Sequence, residues 1–207
     1  LQRDIQRMVN QDRNVFAACM VACGHADGMV TGVTRNYATA LDDVLKVIDP
    51  ARGERVMGMS IVLMKGRTLF ISDTAVAEFP DPEELAQITL QSAAMARQFG
   101  ATPRVALLSH STFGNPKMER SEKIREAVSI LDRREEVEFE YEGEMNVDVA
   151  LNPNMRELYP FSRLTEAANV LVMPALHSSS IATSLLATAG GATVIGPVLT
   201  GLAKPIQ

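Results

Sequence analysis

Four apolar runs in this 207-residue chain empty directly into short loops of hydroxyls, amides and single cations. Val30 leads into Thr31-Gly32-Val33-Thr34-Arg35-Asn36, and Leu108 into Ser109-His110-Ser111-Thr112-Phe113-Gly114-Asn115. Met173 leads into Pro174-Ala175-Leu176-His177-Ser178-Ser179-Ser180, and Ile195 into Gly196-Pro197 and on to Gly201 and Lys204. Ligands of open α/β sheets settle at the carboxyl ends of strands. Hydroxyls and free backbone N–H groups at helix N-termini are good donors to phosphate. In any one loop, Ser, Thr and Asn serve equally as ordinary caps and turns. Four loops of one character point to a phosphate- or CoA-like ligand. The ligand-binding candidates are Thr31, Thr34, Arg35, Asn36 and Lys204, together with Ser109, Ser111, Thr112, Asn115, Ser178, Ser179 and Ser180. His110 and His177 invite a base–nucleophile pairing with Ser109, Ser111 or Ser178, which spacing alone leaves open. Neither G-x-S-x-G nor a dinucleotide fingerprint accompanies them, and no catalytic or metal-binding residue is assigned.

The elements that would position these loops follow from periodicity. Ile5, Met8, Val9, Phe16, Met20 and Val21 fall at helical spacings over Asp4 to Cys23, with Gly24 as the stop. Met29-Val30 reads as a short buried strand, and Ala40 to Ile48 as a helix stopped by Asp49-Pro50. Val56 to Met64 and Thr68 to Asp73 read as strands joined by a hairpin turn at Lys65-Gly66-Arg67. Asp81, Pro82 and Gly100 bracket a long helix from Glu83 to Phe99. Then come a strand at Arg104 to Leu108, a helix at Ser121 to Arg133, a strand at Glu138 to Gly143 and a helix from Asn146 to Leu151. The chain closes with a strand at Ala168 to Met173, a helix at Ile181 to Ala189 and a strand at Thr193 to Ile195. Strands alternating with helices imply crossover connections and a largely parallel sheet, mixed by the one hairpin. The pattern shifts near Gly53, which marks a domain boundary.

Composition bounds the function. A hydrophobic fraction of 46% with 22% charged residues is an ordinary globular balance, able to bury a sizeable core. A net charge of −5 gives no global attraction to a polyanion. The absence of Trp and an aromatic fraction of 5% argue against base-stacking platforms, so nucleic acid is not expected as a partner. No apolar run approaches the ~20 residues of a membrane span, so no membrane is expected either. Cys19 and Cys23, one helical turn apart, read as two small buried thiols and fit a reducing, cytoplasmic compartment. The chain starts at Leu1 inside a helical pattern and ends after a loop-like segment, so it reads as a piece of a larger polypeptide.

Five segments, in order along the chain, resemble the phosphate acetyltransferase family. They are Ala26-Asp27-Gly28-Met29-Val30-Thr31-Gly32, Arg104 to Thr112, Gly143-Glu144-Met145-Asn146-Val147-Asp148-Val149-Ala150, Ala168 to Pro174, and Gly196 to Pro205. Met8-Val9-Asn10-Gln11-Asp12-Arg13-Asn14, Thr34-Arg35-Asn36-Tyr37 and His177-Ser178-Ser179-Ser180 are similar to one branch of it, the C-terminal domain of bacterial NADP-dependent malic enzymes. The resemblance implies a two-lobed α/β/α sandwich with mixed, mainly parallel sheets, like isocitrate and isopropylmalate dehydrogenases. Its ligand cleft would lie between the lobes, and it would form a homodimer or higher homo-oligomer. Residues 1–52 would be the remainder of the first lobe, 53–199 the second lobe, and 200–207 a return to the first.

The implied function is regulatory: acetyl-CoA, as ligand or effector, would inhibit the oxidative decarboxylation of malate to pyruvate in another domain of the same polypeptide. NADP and a divalent metal would belong to that other domain alone. Asp42 stands where the family carries an Arg that contacts substrate. At ~4 Å and an effective dielectric near 20, an opposite charge is worth ~4 kcal/mol, so the reversal weighs against catalysis here. The alternative is an active phosphate acetyltransferase, in which a base deprotonates the CoA thiol and Arg35 replaces the lost charge. A third reading is a dimerising domain with a vestigial cleft. The family's Ser-Arg pair and later Asp would lie just beyond Lys204-Pro205.

Overall fold

The computed structural model describes residues 2–117 and 119–207. Its elements are α1 (Gln2–Gln11), α2 (Arg13–Ala22), α3 (Tyr37–Leu45), β1 (Met57–Met64), β2 (Arg67–Ser72), α4 (Pro82–Gln98), β3 (Arg104–Leu108), α5 (Glu119–Leu131), β4 (Glu140–Met145), α6 (Val147–Leu151), α7 (Pro153–Arg156), β5 (Val170–Val172), α8 (Leu176–Thr188) and β6 (Thr193–Thr200). They divide into two compact units, Leu1–Val56 with Leu199–Gln207, and Met57–Val198.

The second unit is built on a six-stranded mixed sheet in the order β4-β3-β5-β2-β1-β6. The expected hairpin forms, with β1 antiparallel to β2 from Met59↔Ser72 to Met64↔Arg67. β5 lies parallel to both β2 and β3, and β3 parallel to β4. Alternation along each strand feeds two cores. Val105 and Leu107 of β3 with Phe70 of β2 pack beneath Leu85, Ile88, Ile124 and Leu131 of α4 and α5. Ala106 and Leu108 with Leu69 and Ile71 pack on the other face with Met145, Val149 and Leu164. Each such fully buried Leu or Ile stabilises by about 1.5–3 kcal/mol, and a sheet covered on both faces tolerates apolar residues at every position. α4 starts where the sequence places it. Asp81 accepts from the Glu84 N–H at 2.8 Å, Glu84 accepts from the Asp81 N–H at 2.9 Å, and Pro82 opens the first turn.

The first unit buries a smaller cluster, Ala18, Val21, Met29, Val44, Ile48 and Ile206. It is drawn from both ends of the chain. Met29 bridges Ile206 in parallel and Pro50 bridges Leu202 antiparallel. At Gly201 (φ +86°) a Cβ would stand 1.8 Å from the Arg55 carbonyl oxygen, so only glycine permits this return.

Several local expectations are corrected. The helix expected over Asp4 to Cys23 is two helices. Asp12 breaks it by capping α2, its carboxylate accepting from the N–H groups of Asn14 (2.8 Å) and Val15 (3.2 Å). Met29 is buried, but Val30 is 88% exposed, so the segment makes a bridge and not a buried strand. Cys23 is exposed and Cys19 half-buried. β6 runs to Thr200, and α8 begins five residues earlier than expected.

Candidate ligand site

Within the second unit, the adjacent parallel strands β3 and β5 end side by side and release their loops beneath the starts of α5 and α8. A cavity of about 580 Å³ opens there. Ser109 and His110 enter it from the β3 loop, Pro174 and Ala175 from the β5 loop, Arg120, Ser121 and Lys123 from α5, and His177, Ser178 and Phe79 complete its wall. The N-cap of α8 is Ala175, which offers no side-chain cap; its carbonyl accepts from the N–H groups of Ser178 (3.1 Å) and Ser179 (3.3 Å), and the Leu176 N–H donates to the Glu78 carbonyl (3.2 Å). Lys123 is half-buried, and its Nζ donates to the carbonyls of Pro174 (2.8 Å) and Pro80 (3.2 Å). Burial, then the nearby Arg120 charge, push the Lys123 pKa below its ordinary 10.5. The His177 ring lies 5.7 Å from that of Phe79, centroid to centroid.

Behind the cavity wall lies a buried polar network. The Glu144 side chain is fully buried and faces the Arg125 guanidinium, whose Nη1 donates to both carboxylate oxygens at 3.0 and 3.1 Å. The Gly114 N–H (2.9 Å) and the Ser111 hydroxyl (2.6 Å) also donate to it. Ser111 stands 2.7 Å from Ser121, and Ser121 stands 2.8 Å from Ser109. Gly143 makes the approach possible, because a Cβ there would stand 2.8 Å from the Leu107 carbonyl oxygen on β3.

The candidates read from the sequence therefore divide. Ser109 and Ser178 share the cavity. Ser111 is buried against Glu144, and Thr112 is buried with its hydroxyl accepting from the Asn146 N–H at 3.0 Å. Asn115 is exposed, exchanging backbone hydrogen bonds with Thr112. Ser178, Ser179 and Ser180 are helical instead of a loop. Ser179 is buried, 2.5 Å from the Asp73 carbonyl oxygen and 2.7 Å from that of Leu176, while Ser180 is exposed.

In the first unit, Arg35 is tied down by Asp12 (2.5 Å) and Asp43 (2.6 Å), with Lys46 on the other oxygen of Asp43 at 2.7 Å. Thr31 donates to Asn14 at 2.7 Å, Thr34 accepts from Arg13, and Asn36 caps α3 by accepting from the Thr39 N–H at 2.8 Å. Lys204 and Asp42 are exposed.

Both partner carboxylates of Arg35 titrate below their ordinary 3.8. At Asp12 burial alone acts upward, and the bonds from Arg35, Val15 and Asn14 outweigh it. At Asp43 the bond from Lys46 dominates over burial. Stability from such depressed groups is present above the unfolded pKa and is lost as pH falls through the folded values. Arg35→Ala is therefore expected to raise the acid-unfolding midpoint, followed by far-UV circular dichroism below pH 4. An unmoved midpoint would show that the cluster contributes nothing to acid stability.

Sequence reasoning missed Lys123, Arg120, Ser121, Arg125 and Glu144. The i, i+4 spacing of Ser121 and Arg125 places them on one face of α5, which was the available signal.

A mixed sheet covered by helices on both faces, with polar loops gathered at the carboxyl ends of its parallel strands, defines an α/β/α protein of the open-sheet class. The chain belongs to the phosphate acetyl/butaryl transferase family, whose model matches residues 1–207. An NADP-dependent malic enzyme of Rhizobium meliloti (strain 1021) is 60% identical over 207 residues, 100% of this chain and 27% of that protein. A phosphate acetyltransferase of Bacillus subtilis (strain 168) is 32% identical over 198 residues, 95% of this chain and 61% of that one. Among solved structures, a phosphotransacetylase from Streptococcus pyogenes superposes with a TM-score of 0.87 at 31% identity, over 93% of this chain and 60% of that one. The chain thus spans about a quarter of the length of the malic enzyme relative. The resemblance read from the five segments and the α/β fold it implied are both borne out. No helix among the described residues is long and apolar enough to cross a membrane.

Proposed function

We propose that this domain binds acetyl-CoA and thereby regulates malate decarboxylation carried out by another domain of an NADP-dependent malic enzyme. The observation that carries the binding half is the cavity at the ends of β3 and β5, where Arg120 and Lys123 supply positive charge beside the first turn of α8. Its volume suits part of a ligand the size of CoA. The malic half rests on the 60% identity to the Rhizobium meliloti protein. NADP and a divalent metal serve that other domain. Asp42, in place of a substrate-contacting Arg, supports a domain that does not turn the ligand over. Ile181 and Leu185, 65% and 62% exposed on α8, support a homo-oligomer that buries them. The two thiols support a cytoplasmic setting.

The test is acetyl-CoA titration of the full-length protein while malate-dependent NADP reduction is followed. Acetyl-CoA is expected to inhibit, and Lys123→Ala to weaken the inhibition about tenfold through loss of a charge-assisted contact. Coupling between binding sites is reciprocal, so malate and NADP should in turn alter acetyl-CoA affinity. Malic activity indifferent to acetyl-CoA, together with phosphate-dependent release of acetyl groups from it, would replace this account with an active phosphate acetyltransferase.

A further inference from the structure

An acyl-CoA has two unlike ends. The pantetheine arm is neutral, flexible and without a flat ring, whereas the nucleotide end carries adenine and all of the phosphate charge. The cavity at the ends of β3 and β5, at about 580 Å³, takes only part of such a ligand, so its lining decides which end enters. Two aromatic rings and two cations line it. The rings are Phe79 and His177, with centroids 5.7 Å apart and planes tilted by 55°. They stand too close to sandwich a third ring, and offer it an open face instead. Phe79 is 65% exposed, and its backbone is anchored on both sides. The Glu78 carbonyl accepts from the Leu176 N–H at 3.2 Å, and the Pro80 carbonyl from Lys123 at 3.2 Å. The Ala77 N–H is bound to Asp73 at 2.6 Å. A ring presented by so anchored a segment is preorganised to be covered. The cations are Arg120 and Lys123. Lys123 spends two of its three N–H groups on the Pro80 and Pro174 carbonyls, which leaves one for a ligand oxygen. Arg120 is exposed, and the planar fork of a guanidinium matches phosphate. Among the described residues that line the cavity, none is acidic.

We propose that this cavity receives the adenine-nucleotide end of CoA, with the adenine ring against Phe79 and His177 and phosphate on Arg120 and Lys123. This rests on the acyl-CoA reading for the identity of the whole ligand. The acyl group then lies outside the cavity. CoA and acetyl-CoA engage it equally, and whatever tells them apart lies elsewhere.

Equilibrium binding to the full-length protein tests this, with ADP, pantetheine, CoA and acetyl-CoA as probes. ADP is expected to bind and to compete with acetyl-CoA. Phe79→Ala is expected to weaken ADP, CoA and acetyl-CoA by a common factor of about ten, the usual loss of one base–aromatic stack, and to leave pantetheine unchanged. Phe79→Leu, which keeps apolar area but no ring, should bind as weakly as Phe79→Ala, and Phe79→Trp as tightly as wild type. Acetyl-CoA affinity that is unchanged in Phe79→Ala overturns the proposal and leaves the acyl-CoA reading standing. Wild-type affinity in Phe79→Leu, or pantetheine binding weakened by Phe79→Ala, overturns it as well. ADP that binds through Phe79 while acetyl-CoA does not bind removes the acyl-CoA reading and keeps the adenine-nucleotide site. Protein that binds none of the probes overturns both.

Discussion

Glu144→Ala is expected to cost the protein about 3–5 kcal/mol, because a fully buried acceptor is lost and its donors, at about 1–3 kcal/mol each, are left unpaired. The carboxylate is fully buried and takes hydrogen bonds from Arg125, Ser111 and the Gly114 N–H. Its removal leaves the Ser111 hydroxyl and the Gly114 N–H without their acceptor, while Arg125, one-third exposed, keeps Glu122 at 3.6 Å. At an m-value of about 2 kcal/mol/M, the urea midpoint should fall by about 2 M. Glu144→Gln keeps the volume and one carbonyl acceptor and should fall between the two. A loss below about 0.5 kcal/mol, as for an ordinary surface change, would mean that the network relaxes without its charge.

Asp73→Ala is the second large effect. The carboxylate, 2% exposed, gathers the N–H groups of Gly58 (2.9 Å), Ala75 (2.8 Å), Val76 (3.2 Å) and Ala77 (2.6 Å). Each buried N–H left unsatisfied costs about 1–3 kcal/mol. Part of this is recovered as the loop hydrates, so about 3–4 kcal/mol is expected in total. The segment it organises continues to Phe79 and to the Pro80 carbonyl that holds Lys123. The variant should therefore also bind acyl-CoA more weakly. Amide hydrogen exchange over residues 74–79 should rise well before global unfolding. Protection equal to wild type would show that the loop is held by its packing and not by the carboxylate. Asp73→Asn, which keeps one oxygen acceptor, is expected to lose about half as much.

What could be read from the sequence was whatever local chemistry decides. The Asp81-Pro82-x-Glu84 start of α4, the Lys65-Gly66 hairpin and the apolar runs of β3 and β5 carry their own signals. Each is satisfied within a few residues or by burial alone. The start of α8 was hidden, because His177-Ser178-Ser179-Ser180 reads as polar loop. It is helical because Ser179 turns inward to the Asp73 and Leu176 carbonyls, and the first of these partners is remote in sequence. The break at Asp12 was hidden for the opposite reason, since the apolar positions on either side keep helical spacing while a cap interrupts it. For the site, the loops at the strand ends were legible as polar. Their division into cavity wall and scaffold was not, because Glu144 and Arg125 decide it from β4 and α5. A Ser beside the cavity and a Ser two residues further on look alike until the buried carboxylate that claims one of them is located.

The first unit is assembled from segments on either side of the second, with Met29 bridged to Ile206 and Pro50 to Leu202. The second unit is one unbroken stretch, Met57–Val198. On the ribosome this imposes an order. The apolar side chains of Ala18, Val21 and Met29 emerge early and wait for Ile206, which at about 5–20 residues per second takes on the order of ten seconds or more. The continuous unit can collapse during that interval, while the segment that precedes it waits for its partners. That segment is where a chaperone should be found on the nascent chain.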